Sequence, residues 1–203
     1  ANHQSMFDVP IVGALLLTNF PKFVSKRELA RFIPSISYNL RRGGNALIDR
    51  GDRAQALEAI TDLGRRVEKR GVSVVIYPEG TRARGGELKE FKPAGTLGLL
   101  EAAPRLPVVP LAIDGSWKLL RHGMRPIPFG TRVRVWIGEP MARAEGENGE
   151  ALLGRAEAEI RRTIEGWRGT APAPISRRRR GRRRVRASPK TPRNSTPSVA
   201  NAG

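Results

Sequence analysis

Two side chains near the start of the sequence have the types and spacing of a proton-transfer pair. His3 and Asp8 stand in Asn2-His3-Gln4-Ser5-Met6-Phe7-Asp8, with four residues between them. A carboxylate beside an imidazole fixes its tautomer and makes it a stronger base, and the two meet if the segment turns into a helix. The same spacing suits a terminal histidine near an aspartate that caps a helix. A second cluster, Tyr77-Pro78-Glu79-Gly80-Thr81-Arg82, directly follows a β-branched run. Open α/β sheets bind ligands just beyond the carboxyl ends of their strands. A glycine there lets backbone approach a ligand, and an arginine grips phosphate with two parallel bonds. A surface turn with a solvated arginine is the plainer reading of the same residues. Asp49-Arg50-Gly51 repeats the pattern at the end of another apolar run, where a cap plus a surface charge is the alternative. Lys26-Arg27-Glu28-Leu29 reads as a charged helix face. His122 has no nearby carboxylate and reads as a loop histidine.

These groups need elements to hold them, and strand and helix patterns alternate along the chain. Residues 9–17 form a short apolar stretch of helical character. Residues 45–49 read as a short strand. Asp52 offers an N-cap, and Leu57, Ile60, Leu63 and Val67 recur at helical spacing up to Gly71. Gly71 suits the left-handed position that closes a helix. Residues 72–77 are a continuous β-branched run, as in a strand buried on both faces. Pro93 suits a helix start, with Leu97, Leu99, Leu100 and Ala103 behind it. Residues 108–113 read as a second buried strand broken by Pro110, and residues 132–137 as a half-exposed one. Leu153, Ala156, Ile160 and Ile164 mark a last amphipathic helix ending near Trp167. The alternation predicts an α/β layered domain with a largely parallel sheet flanked by helices. It extends over residues 1–170.

Composition bounds the chemistry. The 203 residues contain no cysteine and two histidines, which removes disulfides, thiolate nucleophiles and Cys-ligated metals and leaves little for a His-based metal site. No metal or cofactor is expected. The net charge of +18 points to an anionic partner. Ten of the 37 Lys and Arg fall between Arg177 and Arg193 and no acid follows Glu165, which leaves 27 basic residues against 19 acids, or +8, for residues 1–176. Residues 171–203 mix Arg with Pro, Ser and Thr and hold few large apolar side chains, so this basic C-terminal tail is expected to be disordered. The longest apolar stretch contains a Pro and a Gly and falls short of the roughly 20 residues a bilayer span needs. The chain opens without Met or a signal-peptide pattern, as a fragment lacking its natural N-terminus does.

Taken in order, the motifs have a familiar arrangement: Asn2-His3-x4-Asp8, Lys26-x-Glu28-Leu29, Ala46-Leu47-Ile48-Asp49-Arg50, Tyr77-Pro78-Glu79-Gly80-Thr81-Arg82, Phe91-Lys92 and Pro107-Val108-Val109-Pro110. This closely resembles the glycerolipid acyltransferases, typified by 1-acyl-glycerol-3-phosphate acyltransferases, over residues 2–113 and more weakly to about residue 140. The resemblance implies that His3 is the general base and Asp8 its partner, acting on a glycerol hydroxyl that attacks an acyl thioester. It implies that Arg50, Glu79, Gly80, Thr81 and Arg82 surround the acceptor phosphate and that Pro110 shapes the acyl-CoA side. The co-substrate is then acyl-CoA or acyl-carrier protein and the acceptor a lysophospholipid or glycerol phosphate. The product from 1-acyl-glycerol-3-phosphate is phosphatidic acid, in phospholipid biosynthesis. Here Phe91-Lys92-Pro93-Ala94-Gly95 sets the glycrine of the family's Phe-Lys-x-Gly-Ala one position later, and Pro34-Ser35-Ile36-Ser37 is more polar than the family's corresponding segment.

The implied location is peripheral, on the cytoplasmic face of the cell membrane, with the basic tail on anionic lipid and a missing N-terminal segment as a further anchor. The competing class is a nucleic-acid-binding protein that uses the tail. Aromatics are only 5% of the chain, and no nucleic-acid-binding fold precedes the tail, so nucleic acid is the less favoured partner. An inactive relative is disfavoured by the presence of both His3 and Asp8.

Overall fold

The computed structural model describes residues 1–32, 34–49, 51–123, 127–144 and 147–169. The basic tail and Arg50 lie outside them. Helix α1 (Asp8–Leu15) leads through a 3-10 turn (Leu17–Asn19) into strand β1 (Lys22–Lys26). Two short helices, α2 (Leu29–Phe32) and α3 (Pro34–Arg42), precede β2 (Ala46–Ile48). Helix α4 (Arg53–Arg70) then crosses back to β3 (Val74–Val75). The three strands form a parallel sheet in the order β2-β1-β3, with Val24 opposite Ala46 and Phe23 opposite Val75.

The central strand β1 is not among the strands expected from the sequence. Its five residues carry a single apolar pair, Phe23-Val24, between lysines, and a period of two cannot show in so short a run. Lys26 ends this strand, and Leu29 opens α2, so the Lys26–Leu29 segment is a strand-to-helix turn and not one helix face. β3 is shorter than the run 72–77 suggested. Only Val74 and Val75 are in the ladder, and Ser73 extends it by hydrogen bonds with Asn19 and Lys22. Beyond it the chain turns at Pro78, which has no N–H to donate.

Helix α4 has the ends its sequence announced. The Asp52 carboxylate accepts the Gln55 N–H at 2.9 Å, and Gly71 closes the helix at φ 62°. Ile60, Leu63 and Val67 are buried, whereas Leu57 is 46% exposed. Helix α5 (Pro93–Ala102) starts on its proline and packs on α4. The second half adds β4 (Leu111–Asp114) and β5 (Arg134–Ile137), an antiparallel pair outside the parallel sheet, and then α6 (Gly149–Gly169). β4 starts after Pro110, and the chain before the proline makes a separate bridge from Val108 to Met141.

β4 is the strand that fixes the site. Leu111 and Ile113 pack into one cluster with Val12 of α1, Phe23 of β1 and Val75 of β3. Ala112 points the other way and packs with Phe91, Leu153, Ile160 and Ile164. Burying each large apolar side chain is worth about 1.5–3 kcal/mol. β4 is therefore held from both faces, and its backbone is a fixed reference for whatever attaches to it.

Candidate active site

Three segments meet above β4: the chain leading into α1, the loop after β3, and a 3-10 turn (Ser116–Leu120) after β4. The first is attached to β4 by side chains at alternate positions. The Asn2 amide exchanges two hydrogen bonds with Ile113, donating to its carbonyl at 2.9 Å and accepting its N–H at 2.7 Å. Gln4 accepts the Gly115 N–H at 3.1 Å and donates to the Gly86 carbonyl at 3.1 Å. Asn2, Gln4 and Ser5 are buried, and His3, between two anchors, is thrown to the other side.

His3 Nδ1 lies 2.8 Å from Asp8 Oδ2. Asp8 is the first residue of α1 and has no exposed surface. Its Oδ2 also accepts the N–H groups of Gln4 at 2.6 Å and Ser5 at 2.8 Å, and its Oδ1 accepts the Ser116 hydroxyl at 2.5 Å. A carboxylate that accepts the neighbouring N–H and O–H groups calls for a proton on Nδ1, which leaves the Nε2 lone pair of His3 free. Asp8 does not cap α1, whose N-cap position is Phe7 with no side-chain cap; the Asp8 carboxylate closes the preceding turn and holds the histidine. The His3 ring stacks on Tyr77 with centroids 4.2 Å apart and 23° between planes. Burial first, and the Asp8 charge second, push the Tyr77 hydroxyl up, so it stays protonated.

The loop after β3 holds His3 from the opposite side. Glu79 is buried, with Oε1 accepting the His3 N–H at 2.6 Å and Oε2 accepting the Lys89 N–H at 3.2 Å. Burial pushes its carboxyl up, against the two hydrogen bonds and the nearby Lys89 charge. Both oxygens have partners within the protein, so Glu79 braces the His3 backbone. The Ala83 N–H donates to the His3 carbonyl at 2.8 Å and completes the brace.

A cleft of about 450 Å³ opens beside His3. Gly80 lines it at φ 66°, in the left-handed region that glycine adopts without strain. The first turn of α5 lines it too, through Lys92, Ala94, Gly95 and Thr96, and that helix start has no side-chain cap. Arg53, at the start of α4, lines the far side. Lys92 and Arg53 are exposed, and their charged ends have no partner among the described residues. Tyr77 Oη and Thr96 Oγ1 are buried without a hydrogen-bond partner, and both residues are in the cleft wall.

The residues expected from the sequence are thus placed unequally. His3 and Asp8 are in direct contact. Gly80 is in the cleft wall, Glu79 is behind it, Thr81 is exposed, and Arg82 is half-buried and outside the wall with its guanidinium unpaired among the described residues. The model of the Acyltransferase family matches residues 1–114. The chain belongs to the acyltransferase family.

Several acyltransferases are similar to it. The 1-acyl-sn-glycerol-3-phosphate acyltransferase of Pseudomonas aeruginosa is 34% identical over 153 residues, 75% of this chain and 55% of that protein. The enzyme of the same name from Cocos nucifera is 31% identical over 136 residues, covering 63% and 41%. That from Escherichia coli is 31% identical over 114 residues, covering 56% and 45%. The chain spans about half the length of these relatives. The crystal structure of the 1-acyl-sn-glycerophosphate acyltransferase of Thermotoga maritima shares the fold, with a TM-score of 0.56, 24% identity, and coverage of 83% of this chain and 65% of that one.

The fold of this acyltransferase-family chain also displays groups that sequence reading passed over. Ser116 reaches Asp8 from 108 positions away in sequence, and no local pattern marks it. Gln4 lies inside the His3–Asp8 segment, and its ties to Gly86 and Gly115 leave no local sign. Arg53 has a weak signal, a basic residue beside the Asp52 cap, and Lys92 stands in the Phe91-Lys92 block without an assigned role.

Proposed function

We propose that the chain transfers an acyl group from a thioester of coenzyme A or acyl-carrier protein to the hydroxyl of 1-acyl-glycerol-3-phosphate, giving phosphatidic acid. The observation that carries this reading is the partly buried His3–Asp8 contact at 2.8 Å beside a cleft lined by unpaired cations. Nε2 of His3 takes the proton of the acceptor hydroxyl as its oxygen attacks the thioester carbonyl carbon. The C–O bond forms, the tetrahedral intermediate collapses, the C–S bond breaks, and the departing sulfur takes the proton back from His3. Asp8 stays ionised throughout and holds the ring. A positioned base of this kind contributes about 10²–10⁴-fold.

The acceptor phosphate sits between Lys92, Arg53 and the uncapped start of α5, with Gly80 allowing close approach. Unpaired cations and free helix-start N–H groups favour a dianion there. Arg82, from the loop after β3, and Arg50, as the resemblance implies, complete the surround. Holding the phosphate turns remote binding into orientation of the hydroxyl toward His3. No helix among the described residues is long and apolar enough to cross a membrane. Leu15, Leu17 and Phe20 are exposed between the last turn of α1 and β1, and in this reading they face the lipid from which the acceptor comes.

Thiol release by the full chain tests the reading, with lysophosphatidate set against the monoacylglycerol that lacks its phosphate. The expected result is a kcat/KM at least about tenfold higher for the phosphorylated acceptor, the worth of roughly one charged contact. Equal values for the two acceptors contradict the phosphate seat, and no thiol release with either contradicts the activity.

A further inference from the structure

Asp8 divides its two oxygens between two duties. Oδ2 gathers the His3 ring and the N–H groups of Gln4 and Ser5, all from its own loop. Oδ1 has one partner, the hydroxyl of Ser116, at 2.5 Å and 108 positions away in sequence. Ser116 has no exposed surface. It follows Gly115, whose φ of 92° no side chain adopts freely and whose Cβ would collide with the Arg132 carbonyl. The Gly115 N–H is itself held by Gln4 at 3.1 Å. The hydroxyl is thus fixed by β4 and by a turn with no room to move. Ser116 lies two residues beyond the segment that the family model matches.

We propose that Ser116 is a positioning residue for the base, acting through Asp8. Its hydrogen bond fixes the carboxylate rotamer so that Oδ2 meets Nδ1 of His3. It also draws part of the carboxylate charge away from the imidazole. This rests on the reading of His3 as the base. Removing the hydroxyl leaves Oδ1 buried without a donor, frees the carboxylate to rotate and concentrates its charge on Oδ2. The fuller charge stabilises protonated His3, so the base is available only at higher pH. The other ionisable groups around the pair are Tyr77 on the ring face, Glu79 at the His3 N–H, Asp114 across Gln4, and Arg53 and Lys92 in the cleft. Substituting Ser116 alters none of them, so a shifted profile reports on the Asp8–His3 contact.

The test uses the full chain, with steady-state thiol release across pH in wild type, Ser116→Ala, Ser116→Thr and His3→Ala. Ser116→Ala is expected to lower kcat about ten- to thirtyfold, the worth of a hydrogen bond to a charged group. KM for the acceptor stays within about twofold, because the interaction removed does not touch substrate. The acidic limb of kcat/KM moves to higher pH. Ser116→Thr keeps the hydroxyl and is expected to recover most of the rate and the original limb. Wild-type kcat and profile in Ser116→Ala, with His3→Ala inactive, overturn the role of Ser116 and leave the base assignment standing. Activity in His3→Ala overturns the base assignment itself. Should Ser116→Ala fail to fold, Ser116→Cys keeps the shape with a weak donor. It is then expected to show the same fall and shift, and a wild-type profile in it overturns the proposal.

Discussion

The floor and the mouth of the cleft are built on opposite principles. On the floor, Asn2, Gln4, Ser5, Asp8, Glu79 and Ser116 are all at most 2% exposed, and each is hydrogen-bonded to another segment of the chain or to its own turn. At the mouth, Lys92 and Arg53 are exposed and hold their charges without a partner among the described residues. A buried polar network is worth keeping only when every member is satisfied, and it then permits one geometry. An exposed cation on a long side chain costs little and follows whatever anion arrives. In the proposed reading, the base is thus set before substrate binds, while the phosphate contacts form only with substrate. Losses on the floor should appear in folding and in kcat, and losses at the mouth in KM.

The largest separation is expected from Asn2→Ala. It removes both bonds to Ile113 and leaves a buried N–H and carbonyl unpaired, which costs about 2–4 kcal/mol. Urea denaturation measures it, and a loss below about 1 kcal/mol breaks the distinction between floor and mouth. Lys92→Ala is next. It should raise KM for the phosphorylated acceptor about tenfold, or roughly 1.4 kcal/mol, with an unchanged melting temperature. A change confined to kcat places Lys92 with the floor.

The smallest effect sharpens the boundary between the two regions. Arg168 donates to Asp114 at 2.7 Å and also to the Gly86 carbonyl, tying the end of α6 to the loop beneath Gln4. Burial pushes the Asp114 carboxyl up, but hydrogen bonds from Arg168 and Gln4 outweigh it and hold it below the usual aspartate range. A depressed carboxyl stabilises the fold fully above its unfolded value and loses that contribution as pH falls through the folded one. Arg168→Met is therefore expected to cost about 1 kcal/mol near pH 6, and its gap from wild type should narrow as pH falls below about 4. A gap that is constant with pH removes Asp114 from the account.

The sequence was most legible where chemistry is local. Asp52, Gly71 and Pro93 declare helix ends through their own backbone needs, and all three do so in the fold. His3 and Asp8 are close in sequence, and one turn of chain brings them together. Legibility fails where partners come from afar. β1 is central because of its neighbours and not its own five residues. The resemblance puts Glu79 beside the acceptor phosphate, and nothing in its block announces that its carboxylate accepts the His3 and Lys89 backbone N–H groups. Ser116 has no signature at all, since its meaning depends on a carboxylate 108 positions away.

The central claim is that Nε2 of His3 removes the proton from the acceptor hydroxyl. It is tested most directly by kcat for thiol release in His3→Ala at saturating lysophosphatidate and acyl-CoA, beside its thermal melt. The account predicts a melting temperature near wild type and a kcat at least about a hundredfold lower, the minimum expected of a positioned base. A folded His3→Ala protein that keeps more than about a tenth of the wild-type rate contradicts it.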